Sequence, residues 1–173
     1  MHVLIATDGT LDAAYAAPYV KNLAGDGGRA TVVTVVEVNR TMLGELRALF
    51  GERPGVTTDQ DAEYVGVRSG DASGVSPNWP GDDAMIARYL ADQGAQRTAP
   101  VVEALRDAGV EHDVVTRDGE DAASVIIDIA GELDADAVVV GPQGSGVFDG
   151  LLGSTSTKLA RRCPVPVLVL RRP

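Results

Sequence analysis

Residues 138–156 read VVVGPQGSGVFDGLLGSTS and predict a buried strand, a glycine-rich loop and the first turn of a helix. The glycines let the backbone turn tightly and approach a ligand without an intervening Cβ. Ser154, Thr155 and Ser156 open the helix, whose unpaired N–H groups point back towards the loop. Because these amides and the positive end of the helix dipole converge on one place, the segment predicts an anion-binding site. Glycine-rich strand-to-helix turns also occur for purely steric reasons, so the pattern alone leaves a structural role open.

Short apolar runs alternate with amphipathic stretches through the rest of the chain. Strands are predicted at residues 2–7, 30–36, 110–117, 137–140 and 165–170. Helices are predicted at residues 10–24, with Thr10 as the capping residue, and at 82–108, 119–133 and 154–162. The core face predicted for the longest helix consists of Ala87, Ala91, Ala95, Thr98, Val102 and Leu105. Five strands alternating with four helices predict a doubly wound parallel α/β sheet with right-handed crossovers.

This periodicity is interrupted between residues 39 and 81. Residues 41–50 predict a short helix, but 51–81 are rich in Gly, Asp and Ser and have few periodic apolar positions. A connection of this length is unusual in a compact domain. We therefore expect one domain over residues 1–173 with an insertion at about 39–81, and we expect 51–81 to be its most mobile part. Whether the insertion is a functional lid or a tolerated surface loop stays open.

The composition excludes several classes of function. The net charge of −10 and the pI of about 4.5 argue against nucleic-acid binding, which needs a basic surface. Lysine occurs only as Lys21 and Lys158, a balance that fits either a salt-adapted, halophilic-like acidic surface or the codon bias of a GC-rich genome. Cys163 is the single cysteine, which excludes an internal disulfide. No apolar run predicts a membrane span or a signal peptide, so we expect a cytoplasmic protein.

Ligands of doubly wound sheets bind beyond the carboxyl ends of the strands, where the strand order reverses. If strands one and four are neighbours there, the segment Asp8-Gly9-Thr10 meets the loop that begins at Gly141. With these two segments and the ending CPVPVLVL at residues 163–170, the chain resembles the universal stress proteins of the UspA type over nearly its whole length. The resemblance implies a flavodoxin-like fold, of the adenine nucleotide alpha hydrolase-like kind, with strand order 3-2-1-4-5. It also implies a homodimer that pairs through the last strand, 165–170, and an exposed apolar edge strand favours such pairing.

The family divides into ATP binders and non-binders, and this chain is closer to the ATP-binding branch. That branch carries Gly, two residues, Gly, nine residues, and then Gly followed by Ser or Thr. Gly141 and Gly144 match the pattern, but only the eight residues 145–152 precede Gly153, so the loop is one residue short. The stretch 142–156 contains no Lys or Arg and instead carries Asp149. Phosphates held there would bind to backbone N–H groups and hydroxyls, with Mg²⁺ or Mn²⁺ as a further source of positive charge.

The resemblance also implies a role for each matching position. Ala6, Thr7 and Asp8 would line the adenosine side, with Asp8 near the ribose or a phosphate-bound metal ion, and Val35 would contact the adenine through its backbone. The residues implied for the two walls of the phosphate loop are Val140, Gly141, Gln143, Gly144, Gly153, Ser154, Thr155 and Ser156. For Asp8, a plain turn residue is the alternative.

The expected function is therefore that of a regulatory homodimer that binds ATP or another adenine nucleotide in stress adaptation, with a protein partner that the sequence does not identify. Two alternatives stay open. The chain is a nucleotide-free interaction module of the non-binding branch, or it is a slow ATP hydrolase in which Asp8 is the one evident candidate base. No zinc-ligand spacing, nucleophile elbow or Walker lysine is present, so a dedicated catalyst is not expected.

Overall fold

A computed structural model describes residues 1–38, 41, 44, 82–142 and 152–171. Within these ranges the elements are β1 His2–Ala6, α1 Ala13–Ala24, β2 Arg29–Val36, α2 Asp82–Asp107, β3 Glu111–Asp118, α3 Ala122–Glu132, β4 Ala137–Val140, α4 Ser154–Arg162 and β5 Val167–Val169. The chain forms two compact units, one of Met1–Glu37 with Ala91–Pro173 and one of Val38–Leu90. Most of the second unit lies outside the described residues, and with it most of the predicted helix at 41–50 and the whole of the segment 51–81.

The five strands form one parallel sheet in the order β3-β2-β1-β4-β5, as predicted. β1 lies in the middle, where Ala6 is in register with Val33 of β2 on one side and with Val140 of β4 on the other. The strand order reverses between β1 and β4, so the segments that follow these two strands emerge side by side.

Both faces of the sheet are covered, which explains why β1 and β4 read as continuous apolar runs. Val3 and Ile5 of β1 face the layer that α1 and the second half of α2 form. They belong to the same buried cluster as Val20 of α1 and Leu105 of α2. Leu4 and Ala6 of β1 face the opposite layer, which α3 and α4 form, and they belong to a second buried cluster on that side. All five residues of β1 are buried, so the strand contributes a side chain to one layer or the other at every position.

The predicted start of α1 is wrong. The helix begins at Ala13, and its capping residue is Asp12, whose side chain accepts a hydrogen bond from the Tyr15 amide. Thr10 does not serve as the cap because its backbone N–H and its hydroxyl both donate to Asp8 Oδ1, at 3.0 and 2.6 Å. The segment Asp8-Gly9-Thr10 thus forms a turn of its own, and α1 starts after this turn.

The predicted core face of α2 is also partly wrong. Ala87, Ala91 and Ala95 are exposed, whereas Gly94, Thr98, Val101 and Leu105 are buried. Gly94 lies so close to β3 that an added Cβ would overlap Thr116 Oγ1. The missing side chain at Gly94 thus allows the close approach of the helix to the sheet.

Candidate functional site

The site predicted from the sequence lies at the carboxyl ends of β1 and β4. Thr7, Asp8 and Gly9 follow β1, and Gly141 and Pro142 follow β4, immediately next to them in the sheet. The predicted neighbourhood of strands one and four is therefore confirmed. Gln143 and Gly144, two further predicted residues, lie outside the described residues.

The loop after β1 is fixed by its own hydrogen bonds. The Thr7 amide donates to Val33 O at 2.9 Å, and the Thr7 hydroxyl oxygen accepts from the Gly9 amide at 3.0 Å. Gly9 adopts φ +96°, a conformation that L side chains rarely take. Asp8 is exposed, and one of its carboxylate oxygens is held by the two donors of Thr10. The loop thereby presents a carboxylate of fixed orientation at the edge of the sheet.

The start of α4 is tied to the end of β4 by two contacts. The Gly153 amide donates to Pro142 O at 2.7 Å, and the Ser156 hydroxyl donates to Gly141 O, also at 2.7 Å. Ser156 is buried, and its hydroxyl holds the helix to the strand. Gly141 and Ser156, which the resemblance implies for the two walls of the phosphate loop, are therefore in direct contact.

The first amides of α4 lie at this edge, next to the end of β4. The capping position is Gly153, with φ −60° and ψ 160°, and within the described part of the chain no side chain caps the helix. Ser154 is exposed and Thr155 is half-buried. Unpaired N–H groups at the positive end of a helix dipole favour a negatively charged group, and the two hydroxyls add further donors. The geometry therefore suits a phosphate or carboxylate next to residues 153–155.

One residue at this edge was not predicted from the sequence. Arg97, on α2, donates from Nη1 to the carbonyl oxygen of Val35 at 3.0 Å. Its side chain also covers Gly9, since an added Cβ there would lie 3.6 Å from both Cα and Cγ of Arg97. Arg97 and Val35 are 62 residues apart in the chain, and nothing in the pattern of α2 distinguishes this arginine from the other charged residues of the helix. The site therefore contains a cation that the glycine loop itself lacks.

A second group of charges lies between the start of α3 and the second half of α4. Asp121 accepts hydrogen bonds from Lys158 Nζ at 3.1 Å and from Ser124 Oγ at 3.0 Å, and Arg162 Nη1 lies 3.9 Å away. These hydrogen bonds, that from Lys158 above all, lower the pKa of the Asp121 carboxyl below its ordinary value. Lys158 lies one turn beyond Ser154, but its ammonium group is paired with Asp121 rather than with the open end of α4.

Two further structural findings concern metals and membranes. Within the described residues, no three His, Cys, Asp or Glu side chains form a group that could hold a metal ion. Among the helices in these ranges, none has the length and apolar character that crossing a lipid bilayer requires.

A cavity of about 490 Å³ lies at the opposite edge of the sheet, before β2 and β3. Its lining includes residues 24–28 and 109–111, three of which are glycines with positive φ. None of the predicted site residues lines this cavity.

Residues 1–171 match the model of the universal stress protein family. A search of curated proteins gave no significant match.

Solved structures resemble the chain over nearly its full length. Hypothetical protein MJ0577 superposes with a TM-score of 0.60 at 15% identity, covering 99% of this chain and 96% of its own. A universal stress protein in complex with cAMP gives 0.52 at 18% identity, covering 99% and 96%. A universal stress protein family protein from Arabidopsis thaliana, At3g01520 with AMP bound, gives 0.53 at 14% identity, covering 100% and 92%. At these identities the likeness establishes the fold.

Proposed function

Because the chain belongs to the universal stress protein family, we propose that it binds an adenine nucleotide at the carboxyl edge of the sheet and acts as a regulatory homodimer in stress adaptation. The observation that carries the proposal is the start of α4, where the Gly153 amide donates to Pro142 O and no side chain among the described residues caps the amides that follow. Two structures with the same fold contain cAMP and AMP, which supports an adenine nucleotide as the ligand.

The proposed pose places the phosphate against residues 153–155 and the adenosine over residues 6–8 and Val35. Each amide or hydroxyl of the site would contribute about 0.5–1.5 kcal/mol net. Several such contacts, added to the burial of the base, reach the roughly 8 kcal/mol that corresponds to micromolar affinity. Asp8 and the net charge of −10 oppose the binding of an anion, and salt screens this repulsion.

A divalent ion is proposed to arrive with the nucleotide rather than to reside in the protein. Asp8 follows β1, beside the end of β4, and would lie near the ribose or the phosphate-bound ion. Carboxylate and phosphate oxygens are the ligands that Mg²⁺ prefers. Because Arg97 lies on the base side and no Lys or Arg occurs in residues 142–156, ATP would gain little over AMP unless Mg²⁺ or Mn²⁺ is present.

Calorimetric titration with ATP, ADP and AMP, with and without Mg²⁺, tests the proposal. We expect micromolar binding of AMP and a clear gain for ATP only with the metal. Ser154→Ala should weaken binding about tenfold, since it removes one hydrogen bond to a charged group. Ser124→Ala, which removes a hydroxyl bonded to Asp121 instead, should leave the affinity unchanged. The absence of binding below millimolar concentration for all three nucleotides would refute the proposal.

A nucleotide-free interaction module is the second candidate function. It is favoured by the Arg97–Val35 contact, because the Arg97 guanidinium group already donates to Val35 O, a backbone acceptor of the proposed base site. Nucleotide content after purification separates the two: bound nucleotide contradicts the module, and empty protein that also fails to bind in the titration supports it.

The proposed dimer, which we place in the cytoplasm, pairs through β5. Val167–Val169 form the edge of the sheet next to β4, and Leu168 is exposed. An apolar edge strand has unpaired backbone groups that a second copy can satisfy. Sedimentation at micromolar concentration in high salt should give a dimer, and a monomer under these conditions would contradict this part of the proposal.

A further inference from the structure

The carbonyl group of Val35 occupies a special position at the end of β2. Val33 O accepts the Thr7 amide, and this is the last hydrogen bond between β1 and β2 in the direction of the carboxyl edge. Because alternate residues of a strand direct their carbonyl groups to the same side, Val35 O points past the end of β1. A backbone acceptor in this position needs a donor from outside the sheet.

Arg97 supplies this donor, and two glycines make its position possible. Gly94, one turn earlier on α2, lets the helix pack directly against Thr116 of β3. Gly9 has no side chain where the backbone and the stem of Arg97 pass over the loop. The guanidinium group consequently reaches from α2 across the end of β1 to the end of β2.

We propose that Arg97 is a specificity-determining residue, whose guanidinium group occupies the acceptor that the amino group of an adenine base would use. This inference rests on the proposed nucleotide site. The exocyclic amino group of adenine is a hydrogen-bond donor, as are all the polar groups of a guanidinium. A backbone carbonyl can accept two hydrogen bonds, but the guanidinium group occupies the space in front of Val35 O, so the adenine amino group has to displace Arg97 to reach this acceptor. The residue therefore lowers the affinity for adenine and leaves that for the phosphate unaffected.

Arg97→Met tests this assignment, because it keeps an unbranched apolar stem on the helix and removes every donor. AMP is compared with ribose 5-phosphate, which has the same phosphate but no base, and with purine riboside 5′-monophosphate, which lacks the amino group. We expect AMP affinity to rise about tenfold, the value of one hydrogen bond to a charged group. Ribose 5-phosphate should bind as before, and the ligand without the amino group should gain less than AMP.

Arg106→Met is the matched control. Arg106 is exposed in the last turn of the same helix, so its replacement makes the same change in net charge away from the site. It should leave the affinity for AMP within twofold of the original value. Thermal unfolding of each variant checks the fold. Arg97→Leu, which likewise has no hydrogen-bond donor, serves as a second variant and should show the same gain in AMP affinity.

The possible outcomes separate this inference from the proposed function. Equal AMP affinity in Arg97→Met and the original protein would overturn the inference and leave nucleotide binding intact. Weaker AMP binding in the variant would also overturn it, since Arg97 would then contact the nucleotide directly. If neither protein binds AMP below millimolar concentration, the proposed function fails, and the inference fails with it.

Discussion

Gly94→Ala should destabilise the protein, although alanine is the better helix former. Replacing glycine by alanine inside a helix stabilises it by up to about 1 kcal/mol. The new methyl group, however, would overlap Thr116 Oγ1 and lie 3.1 Å from both Cβ and Cγ2 of that residue. Rotating Thr116 does not relieve the contact with its Cβ, so α2 must move away from β3. Overpacking of this kind costs about 1–3 kcal/mol, and we expect a net loss of roughly 1–2 kcal/mol.

Urea unfolding followed by circular dichroism measures this change, provided that the slope of the transition is constant. Gly131→Ala is the matched control: Gly131 also lies in a helix, α3, but nothing lies within 4 Å of its added Cβ. This variant should gain about 0.5–1 kcal/mol. Adding Thr116→Ala to Gly94→Ala removes two of the three clashing atoms and should recover at least half of the loss.

Equal stability of Gly94→Ala and Gly131→Ala would refute this reasoning. So would a double variant that is no more stable than Gly94→Ala alone, because the loss would then not arise from the contact with Thr116.

Two further predictions concern hydrogen bonds in the sheet and between the helices. Thr34 Oγ1 is the one buried side-chain polar atom without a partner among the described residues, so Thr34→Val should stabilise by about 1 kcal/mol. Thr31→Val on the same strand removes the partner of His2 Nε2 and should destabilise by a similar amount in the same unfolding assay; the same sign for both variants would contradict the assignment. In the folded protein Lys158 lowers the pKa of the Asp121 carboxyl below 3.8, its pKa in the unfolded chain. The stability that this carboxylate adds is therefore complete above pH 3.8 and is lost as the pH falls through the lower pKa of the folded protein. Asp121→Asn should therefore make the decline in stability at acid pH shallower, and an unchanged pH profile would argue against the pair.

Sequence patterns sufficed where the physical signal was local and strong. β4 and α4 begin and end where they were predicted, since Gly141 ends an unbroken apolar strand and Pro164 follows the last residues of the helix. The start of α1 was misplaced because Asp8, Thr10 and Asp12 are all capping residues by type. Only the fold decides which of them caps the helix.

The residues that were missed depend on long-range contacts. Alanines occur on several faces of α2, so periodicity did not identify which face is buried. The close approach at Gly94 depends on Thr116, which belongs to a different element, β3. Arg97 belongs to the candidate site through contacts with Gly9 and Val35 that sequence spacing does not encode. The same limit applies to the hydrogen bond from the Ser156 hydroxyl to Gly141 O, which joins residues 15 positions apart.

The most direct test of the proposed nucleotide site is to follow the backbone amide chemical shifts during a titration with AMP. We expect the largest changes at residues 7–9, at Val35 and at residues 153–156, with saturation at micromolar to submillimolar AMP. Changes confined to residues 24–28 and 109–111, around the cavity at the opposite edge of the sheet, would contradict the proposed site, as would the absence of any change.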